Sequence, residues 1–391
     1  LLADPGNALF HLTDPRGASD KSGRTFNNPY QYFFEQMHMD DAIYADESIY
    51  EYPMQQGGGN DGRPYSFGRP SSGGSKAAYP CKSYGQGRIN PAYFYGVFDP
   101  NDMRRDVSIT MTGSNGKGVE KLIPFVPNSK AEGGGLTLNK WDENRQANPW
   151  VAAQRKSGIN GPYMRMSEVY LGYAEVCAAL GDVVTGKQYL KTVRERSFPQ
   201  GLANTDAFIA SFGNDLVRAI IEERGFEYAG EGDRRWTLIR SGYLPEDIKR
   251  IKDMTKAMMD GLATKGYYEF ENGNIISAYI WTKLVDAKTI YGHRLTAQCP
   301  TDKVNDPVLY PGWRGQKDNW EEMGLNYGSS TPATNLAIKG LFEIVSEEEA
   351  ASLESQGYTK VNWGIDLVDN RDEYDKYLFW DYDYVSAPIY L

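Results

Sequence analysis

The clearest alternation of apolar and polar positions lies near the middle of the chain. From Tyr163 to Leu180, apolar residues recur every three or four positions, which is the spacing of an amphipathic helix. A Gly-Asp pair follows at 181–182, and a second helical stripe runs from Val183 to Val193. The pattern predicts two antiparallel helices joined by a tight turn, as in a tetratricopeptide hairpin. The predicted inner stripes are Tyr163, Met166, Tyr170, Tyr173, Cys177 and Leu180, then Val183, Gly186, Leu190 and Val193, with Arg165, Glu168, Gly172 and Glu175 on the opposite face of the first helix.

Weaker patterns on either side predict further helices and a few strands. Helices are predicted to begin at Pro29, at Thr205 or Asp206, at Asp215 and at Pro245, with a last one in 340–354 opened by Ser346 and Glu349 as a capping box. Short strands are predicted at 47–52, 107–111 and 136–141. Glycine triplets and prolines over 53–87 predict a long irregular loop. The predicted fold class is therefore mostly α, with long irregular loops and a few short strands.

Composition and charge exclude two classes of protein. The chain of 391 residues carries 42 basic and 52 acidic side chains, a net charge of -10. Nucleic-acid binding needs a basic surface, so nucleic acid is not expected as a partner. The sequence contains no run of the roughly 18 apolar residues that a membrane-spanning helix requires.

Aromatic residues are the unusual component of the sequence. It contains 28 Tyr and 8 Trp but only 3 His. Tyr and Trp rings combine a flat apolar face with a polar edge, which suits them to stack on sugar rings. The alternative interpretation is that a large, loop-rich secreted protein simply carries many tyrosines.

The densest charges lie between Glu222 and Arg235, where carboxylates alternate with arginines. Two carboxylates can act together in glycoside hydrolysis, but the acid of such a pair needs a raised pKa. Neighbouring guanidinium groups have the opposite effect, since they keep carboxylates ionised. The run therefore predicts a structural ion-pair network near the turn at Gly230 and Gly232. No H-E-x-x-H or G-x-S-x-G motif occurs, and we predict no enzymatic activity.

The cysteines give no sign of a metal or cofactor site. Cys81, Cys177 and Cys299 show no C-x-x-C spacing, so no metal site and no cofactor are predicted. Cys177 falls on the apolar stripe of the predicted hairpin and is expected to be buried. Whether Cys81 and Cys299 form a disulfide stays open at this point.

Candidate ligand-binding residues lie in the irregular stretches. We expect aromatic side chains there to stack on a ligand and polar side chains to orient its hydroxyl groups. The alternatives are a surface insertion for the 53–87 loop and anchoring in the core for the tryptophans. The candidates are Asn60, Arg63, Tyr65, Phe67, Tyr84, Trp141 and Trp150.

Three motifs occur in order within the charged helical region. They read R-M-S-E-V-Y-L-G-Y-A-E at 165–175, V-R-E-R at 193–196 and E-E-R-G-F-E-Y-A-G-E-G-D-R-R-W at 222–236. Together they resemble the SusD/RagB family of Bacteroidetes outer-membrane nutrient-binding lipoproteins. That family typically shows R-x-A-E-V-x-L-x-x-A-E, N-x-V-R-x-R and E-R-x-x-E-x-x-x-E-G-x-R-x-x-D-L-x-R. The departures are Ser167 for the usual Ala, Thr192 before Val-Arg, and Thr237 for the common Asp.

The resemblance implies an α-rich, SusD-like fold and a non-catalytic receptor at the cell surface. Such a receptor captures an oligosaccharide or polysaccharide, with peptide as the alternative cargo. It passes the cargo to a SusC-like, TonB-dependent outer-membrane transporter. Membrane contact is expected only through a lipid anchor outside this sequence, which begins Leu-Leu-Ala without a leader.

The resemblance also suggests how the chain is organised. Residues 1–391 are expected to form one unit that lacks its N-terminal helical part. The helical scaffold is expected at 29–52 and 163–261, and loop-rich segments facing ligand or partner at 53–150 and 262–391.

Two other functions are compatible with the sequence alone. One is a secreted glycoside hydrolase on an α-rich scaffold, since its two carboxylates leave almost no motif. The other is a tetratricopeptide scaffold that binds peptides. The latter predicts several helix pairs of about 34 residues, whereas one pair is visible.

Overall fold

A computed structural model describes the protein's fold. The residues it describes are 2–3, 30, 34, 47–55, 68, 85, 87–114, 120–122, 135–141, 157–199, 201–286 and 334–364. Most of the predicted 53–87 loop, much of the helix predicted from Pro29, and both Cys81 and Cys299 lie outside these ranges. Tyr30 and Phe34 are in helical conformation.

The described part of the chain is rich in helices, as predicted. A π-helical turn at Tyr93–Val97 precedes the first of them. The helices are α1 Arg104–Ser108, α2 Met166–Ala179, α3 Val183–Glu195, α4 Thr205–Ala210, α5 Leu216–Glu227, α6 Asp233–Ser241, α7 Leu244–Lys265 and α8 Glu347–Ser355. None of these helices is long and apolar enough to cross a bilayer.

The strands are short and pair antiparallel. They are β1 Ser48–Tyr52, β2 Arg88–Ile89, β3 Ile109–Thr110, β4 Thr112–Ser114, β5 Glu120–Leu122, β6 Leu136–Leu138, β7 Gly161–Arg165, β8 Tyr267–Glu269, β9 Ile275–Ser277, β10 Tyr279–Asp286, β11 Thr334–Lys339 and β12 Thr359–Asn362. β10 lies between β11 and β12, and β6 lies between β2 and β3. β1 with β7, β4 with β5, and β8 with β9 form two-stranded sheets.

The predicted hairpin is confirmed as α2 and α3. Gly181 closes α2 with a φ of +87°, which glycine adopts without steric cost. Asp182 then caps α3, because its carboxylate accepts a 3.1 Å hydrogen bond from the Thr185 amide. Gly186, Leu190 and Val193 face inward as predicted, whereas Val183, also predicted for the inner stripe, is exposed.

The buried face of α2 differs from the predicted stripe. Tyr163 precedes the helix and is exposed, as are Tyr173 and Leu180. The residues that α2 buries are Met166, Ser167, Leu171, Ala174 and Cys177. Buried Cys177 confirms the prediction for that residue.

The close approach of the two helices explains why α2 buries a different face from the predicted one. A β-carbon added at Gly186 would lie 2.9 Å from the Ala174 carbonyl oxygen, so only small residues fit at the contact. The large tyrosines of α2 are displaced to its flank. There the Tyr170 and Tyr173 rings contact Tyr189 of α3, with centroids 5.2 and 4.9 Å apart.

Two further boundaries differ in detail from the predictions, and a third is as predicted. Asn204, and not Thr205 or Asp206, caps α4, since its side chain accepts a 3.0 Å hydrogen bond from the Ala207 amide. Val107 is helical, and the predicted strand begins two residues later at Ile109. Ser346 does cap α8, accepting from the Glu349 amide at 3.2 Å.

Two apolar clusters hold the described elements together. The larger one joins the π-helical turn, α7 and strands β9 to β11, and it is rich in rings such as Phe94, Tyr95 and Phe270. The smaller one fills the space between the hairpin and α5, and it includes Leu171, Leu190 and Ile220. α5 contacts both α2 and α3, so its charged residues reach the centre of the molecule.

Candidate functional site

The β1–β7 ribbon carries a group of exposed tyrosines. Tyr50 and Tyr52 of β1 are 55% and 57% exposed, and Tyr163 of β7 is 69% exposed. The Tyr50 and Tyr163 rings touch edge to face, with centroids 5.6 Å apart and planes at 83°. The ribbon therefore presents three aromatic side chains to solvent.

A bulge in the ribbon places Tyr163. The register pairs Tyr50 with Met164 and Glu51 with Pro162, so Tyr163 has no partner position on β1. An extra residue of this kind bends the strand and redirects its side chain. Here the redirected ring lies against Tyr50 instead of continuing the ladder.

The opposite end of the ribbon is anchored in a buried ion-pair network. Arg165 ends β7, and its Nη1 lies 2.6 Å from Oε1 of Glu47, the residue before β1. Arg165 also forms a two-point contact with Glu231, at 2.9 Å from Nε and 2.8 Å from Nη2. The prediction placed Arg165 on the face of the first helix opposite the apolar stripe, whereas its side chain is 1% exposed and the residue lies in β7. A buried guanidinium needs several acceptors, and this network supplies them.

Glu227 is the centre of this network. Its carboxylate is 2.6 Å from Arg196 Nη2, 2.8 Å from Arg165 Nη1 and 3.1 Å from Arg104 Nη1. The Tyr30 hydroxyl donates to it at 2.5 Å. Burial alone would raise the pKa of Glu227, but the surrounding guanidinium groups, Arg196 first, hold it well below the usual range.

Glu47 behaves in the same way. Burial raises the pKa of its carboxyl, and the charges of Arg196 and Arg165 outweigh that effect and lower it. Arg196 Nη1 is 2.5 Å from Glu47 Oε2, and both side chains are buried. Both carboxylates are thus favoured in the ionised form and accept hydrogen bonds from buried guanidinium groups.

A second ion cluster joins α5 to α6 and α7. Glu222 accepts from Arg234 at 2.7 Å and from Arg250 at 3.0 Å. Asp247 accepts from Arg218 at 2.7 Å and pairs with Arg234. The predicted structural network is confirmed in both clusters. A glycosidase acid needs a raised pKa, whereas the pKa values of Glu47, Glu227 and Asp247 are lowered by the arginines around them.

A cavity of about 340 Å³ opens beside the second cluster, below α4. It is lined by the rings of Phe208 and Phe226 and by Arg194, Arg250 and Asp102 among others. These three charged groups already have partners, for example Glu223 at 2.8 Å from Arg194 and Arg104 at 2.7 Å from Asp102. These ion pairs therefore contribute to the fold around the cavity.

Trp141 is the candidate ligand-binding residue that lies within the described ranges. It is 0% exposed and belongs to a small cluster with Phe34, Val107 and Ile159. A ring without accessible surface cannot stack on a ligand, so the core-anchoring alternative describes Trp141. The candidates Asn60, Arg63, Tyr65, Phe67, Tyr84 and Trp150 lie outside the described ranges.

The two sequence stretches that carry these candidates meet at one end of the ribbon. The 53–87 stretch leaves β1 after Tyr52, and the stretch with Trp150 enters β7 at Gly161. Tyr52 and Gly161 are paired in the ladder. Beyond them, the Met54 amide donates a 2.8 Å hydrogen bond to Asn160 Oδ1. Both stretches therefore leave the ribbon at the same end, where the Tyr52–Gly161 pair and the Met54–Asn160 hydrogen bond join the two strands.

The exposed tyrosines of the ribbon were not among the sequence-based candidates. The signal that indicates them is the two-residue spacing of Tyr50 and Tyr52 in a predicted strand, which places both on one face. Tyr163 was assigned to the hairpin because its spacing from Met166 is also helical. Within the described ranges, no three His, Cys, Asp or Glu side chains come together as a metal site.

Solved structures similar to the chain include a SusD homolog and a surface glycan-binding protein. A SusD homolog from Bacteroides thetaiotaomicron is 19% identical, with a TM-score of 0.42, over 59% of this chain and 47% of the other. Surface glycan-binding protein A from the same species, solved with laminarihexaose, is 18% identical, with a TM-score of 0.41, over 62% of this chain and 48% of the other.

A curated relative and a family profile extend the comparison. The SusD-like protein P25 of Formosa agariphila is 28% identical over 160 residues, 41% of this chain and 26% of that protein. The chain thus spans about a quarter of that relative's length. The profile of the SusD family matches residues 13–311, about three quarters of the chain. The chain belongs to the SusD family.

Proposed function

We propose that this protein is a non-catalytic binding protein that captures a glycan at the cell surface for import. Its partner would be a TonB-dependent, SusC-like outer-membrane transporter, and a lipid anchor outside this sequence would hold it at the membrane. Membership in the SusD family supports this function. The alternative cargo is a peptide.

The observation that carries the proposal is the arrangement at the Tyr52–Gly161 end of the ribbon. Exposed tyrosines lie beside the Tyr52–Gly161 pair. At this pair the ribbon is joined to the two sequence stretches that contain the candidate ligand-binding residues. We propose that Tyr65, Phe67, Tyr84 and Trp150 add aromatic contacts to the ligand. Asn60, Asp61 and Arg63 would orient its hydroxyl groups.

The hydrolase alternative finds no support in the carboxylates of α5. Glu222, Glu223 and Glu227 accept from arginines within 3.1 Å. A general acid must instead hold its proton near neutral pH, which requires a raised pKa. Capture without cleavage is the function that this chemistry favours.

Affinity electrophoresis tests the capture function. The purified protein is run through native gels that contain starch, xylan, mannan, laminarin or alginate, with bovine serum albumin as the control for sieving. We expect one polymer to retard the protein while its reducing-end content stays constant. Retardation by none would contradict glycan capture and favour the peptide alternative. Release of new reducing ends would favour the hydrolase.

The transporter partnership requires a separate experiment. The full-length protein is purified by an affinity tag from detergent-solubilised outer membranes of a strain that encodes it. We expect it to co-elute with a TonB-dependent transporter in a near-stoichiometric amount. Elution without a transporter would contradict the partnership and leave glycan capture standing.

A further inference from the structure

We propose that Tyr50, Tyr52 and Tyr163 form a stacking platform that binds an internal stretch of an uncharged polysaccharide. This inference rests on the proposed function and assigns to it residues that neither the sequence motifs nor the family match identifies. It concerns the described ribbon alone.

The first argument is the exposure of the rings. More than half of each of the three tyrosines is accessible to solvent. The edge-to-face contact occupies one face of one ring in the Tyr50–Tyr163 pair, so the remaining faces are open. A phenol ring with an open face and a hydroxyl edge matches the apolar face and hydroxyl rim of a sugar.

The second argument is that the platform is held in place. The bulge directs Tyr163 toward Tyr50, and the root of the ribbon is fixed by the Arg165–Glu47 contact at 2.6 Å. At the other end, Asn160 Nδ2 donates to Glu51 at 2.8 Å. Because both ends are fixed, the rings are ordered before a ligand arrives, which lowers the entropy cost of binding.

The third argument concerns ligand charge. Glu51 and Arg165 are the charged residues of the two strands. Glu51 accepts from Asn160, and Arg165 is buried among carboxylates. Accepting from a neutral amide leaves Glu51 anionic, and the cation of these two strands, Arg165, is buried. The strands would therefore repel an anionic ligand, and an uncharged sugar chain fits this surface better.

A contrast within the same chain separates sugar from polypeptide as the occupant. The end of the α2–α3 hairpin also exposes apolar residues, but these are aliphatic: Val176, Leu180, Val183 and Val184. Aliphatic side chains suit packing against another polypeptide, because they offer neither a flat face nor a polar edge. The ribbon exposes rings instead.

The openness of the platform indicates which part of a polysaccharide it takes. The rings lie on a surface and touch one side of a ligand, whereas recognition of a chain end needs a pocket that closes around it. A sugar chain laid across the ribbon can continue in both directions. The polymer should therefore bind and its monosaccharide should not compete.

Variants of the ribbon test the platform in the gels described above. Tyr163→Ala is expected to weaken binding of the retarding polymer about fivefold, which corresponds to losing the apolar contact of one ring. Tyr163→Phe keeps the ring and should bind within about twofold of the wild type. The Tyr50→Ala/Tyr163→Ala double variant should lose most of the retardation. Trp236→Ala is the matched control, because Trp236 is also 69% exposed but lies on α6.

The outcomes distinguish this inference from the proposed function. If a polymer retards the wild type and the ribbon variants equally, the assignment of the binding platform to the ribbon is wrong, and the proposal of glycan capture stands. If no polymer retards the wild type, both fail. Competition by 50 mM monosaccharide would overturn the internal-stretch assignment. Urea midpoints of all variants within about 0.2 M of the wild type confirm that lost binding is not unfolding.

Discussion

At the scale of single residues, Glu227 is the group on which the buried network depends. It accepts from three arginines and a tyrosine, and its side chain has no accessible surface. Glu227→Gln would leave buried guanidinium charge without compensation, and breaking a buried pair in this way costs about 3–5 kcal/mol. We expect urea denaturation to show a loss of this size in the free energy of unfolding.

Glu195→Gln is the control for this prediction. Glu195 forms a 3.5 Å pair with Lys191, and both side chains are about half exposed. Exposed pairs contribute little because water screens them, so the change should cost less than about 0.5 kcal/mol. Equal losses in the two variants would contradict the central role of Glu227.

The pH dependence of stability gives a second measure of the same network. The folded-state pKa of Glu227 is held well below its unfolded value of about 4.3. Its stabilisation is therefore complete above that value and is lost as pH falls toward the folded pKa. Between about pH 6 and pH 3, the wild type should lose more stability than Glu227→Gln. Parallel curves would contradict the assigned pKa direction.

The sequence predicts that this region is rich in ion pairs, but it does not predict which residues pair with one another. Alternation of carboxylates with arginines in α5 indicates paired charges whatever the fold. That Glu227 meets Tyr30 and Arg104, residues more than a hundred positions away, follows from how distant elements pack. No local pattern contains that information.

At the scale of elements, the α2–α3 contact depends on a small residue at one position. A β-carbon at Gly186 would lie 2.9 Å from the Ala174 carbonyl oxygen and 3.2 Å from the Ala178 amide nitrogen. These are backbone atoms of a packed helix and cannot move independently. Gly186→Ala should therefore destabilise the protein by about 1–3 kcal/mol, although alanine favours helices.

Gly172 supplies the matched control on the same hairpin. No atom lies within 4 Å of a β-carbon added there. Gly172→Ala should stabilise the protein by up to about 1 kcal/mol, because it reduces the freedom of the unfolded chain. Urea denaturation of the two variants distinguishes them by sign. A stabilising Gly186→Ala would contradict the close contact.

The elements themselves show where sequence patterns succeed and where they stop. The hairpin, its Gly181–Asp182 turn and the β1 strand follow from local spacing and capping, and all three are present. The rotation of α2 could not be predicted, because size at the contact selects Ala174 over the tyrosines beside it. Tyr163 fits helical spacing and yet lies in β7, since pairing with β1 outweighs its helical pattern.

At the scale of the whole molecule, fold class and family could be predicted, whereas much of the candidate site could not be placed. The ordered motifs of 165–175, 193–196 and 222–236 coincide with the hairpin and α5, which form the buried centre. These motifs are recognisable because they carry packing and ion pairs. Ligand contacts on a surface are free of such constraints and leave no comparable pattern.

The net charge of -10 gives the last prediction, which concerns the molecule as a whole. If aromatic rings bind an uncharged glycan, no charge is neutralised on binding. Screening by salt should then have little effect on the binding affinity. We expect the dissociation constant for an oligosaccharide of the retarding polymer to change less than about twofold between 0.05 and 0.5 M NaCl. Isothermal titration calorimetry measures this directly, with Trp236→Ala as the control. A tenfold loss of affinity would mean that charged groups carry binding. In that case Arg63, in the 53–87 stretch, would become the leading candidate in place of the tyrosine ribbon.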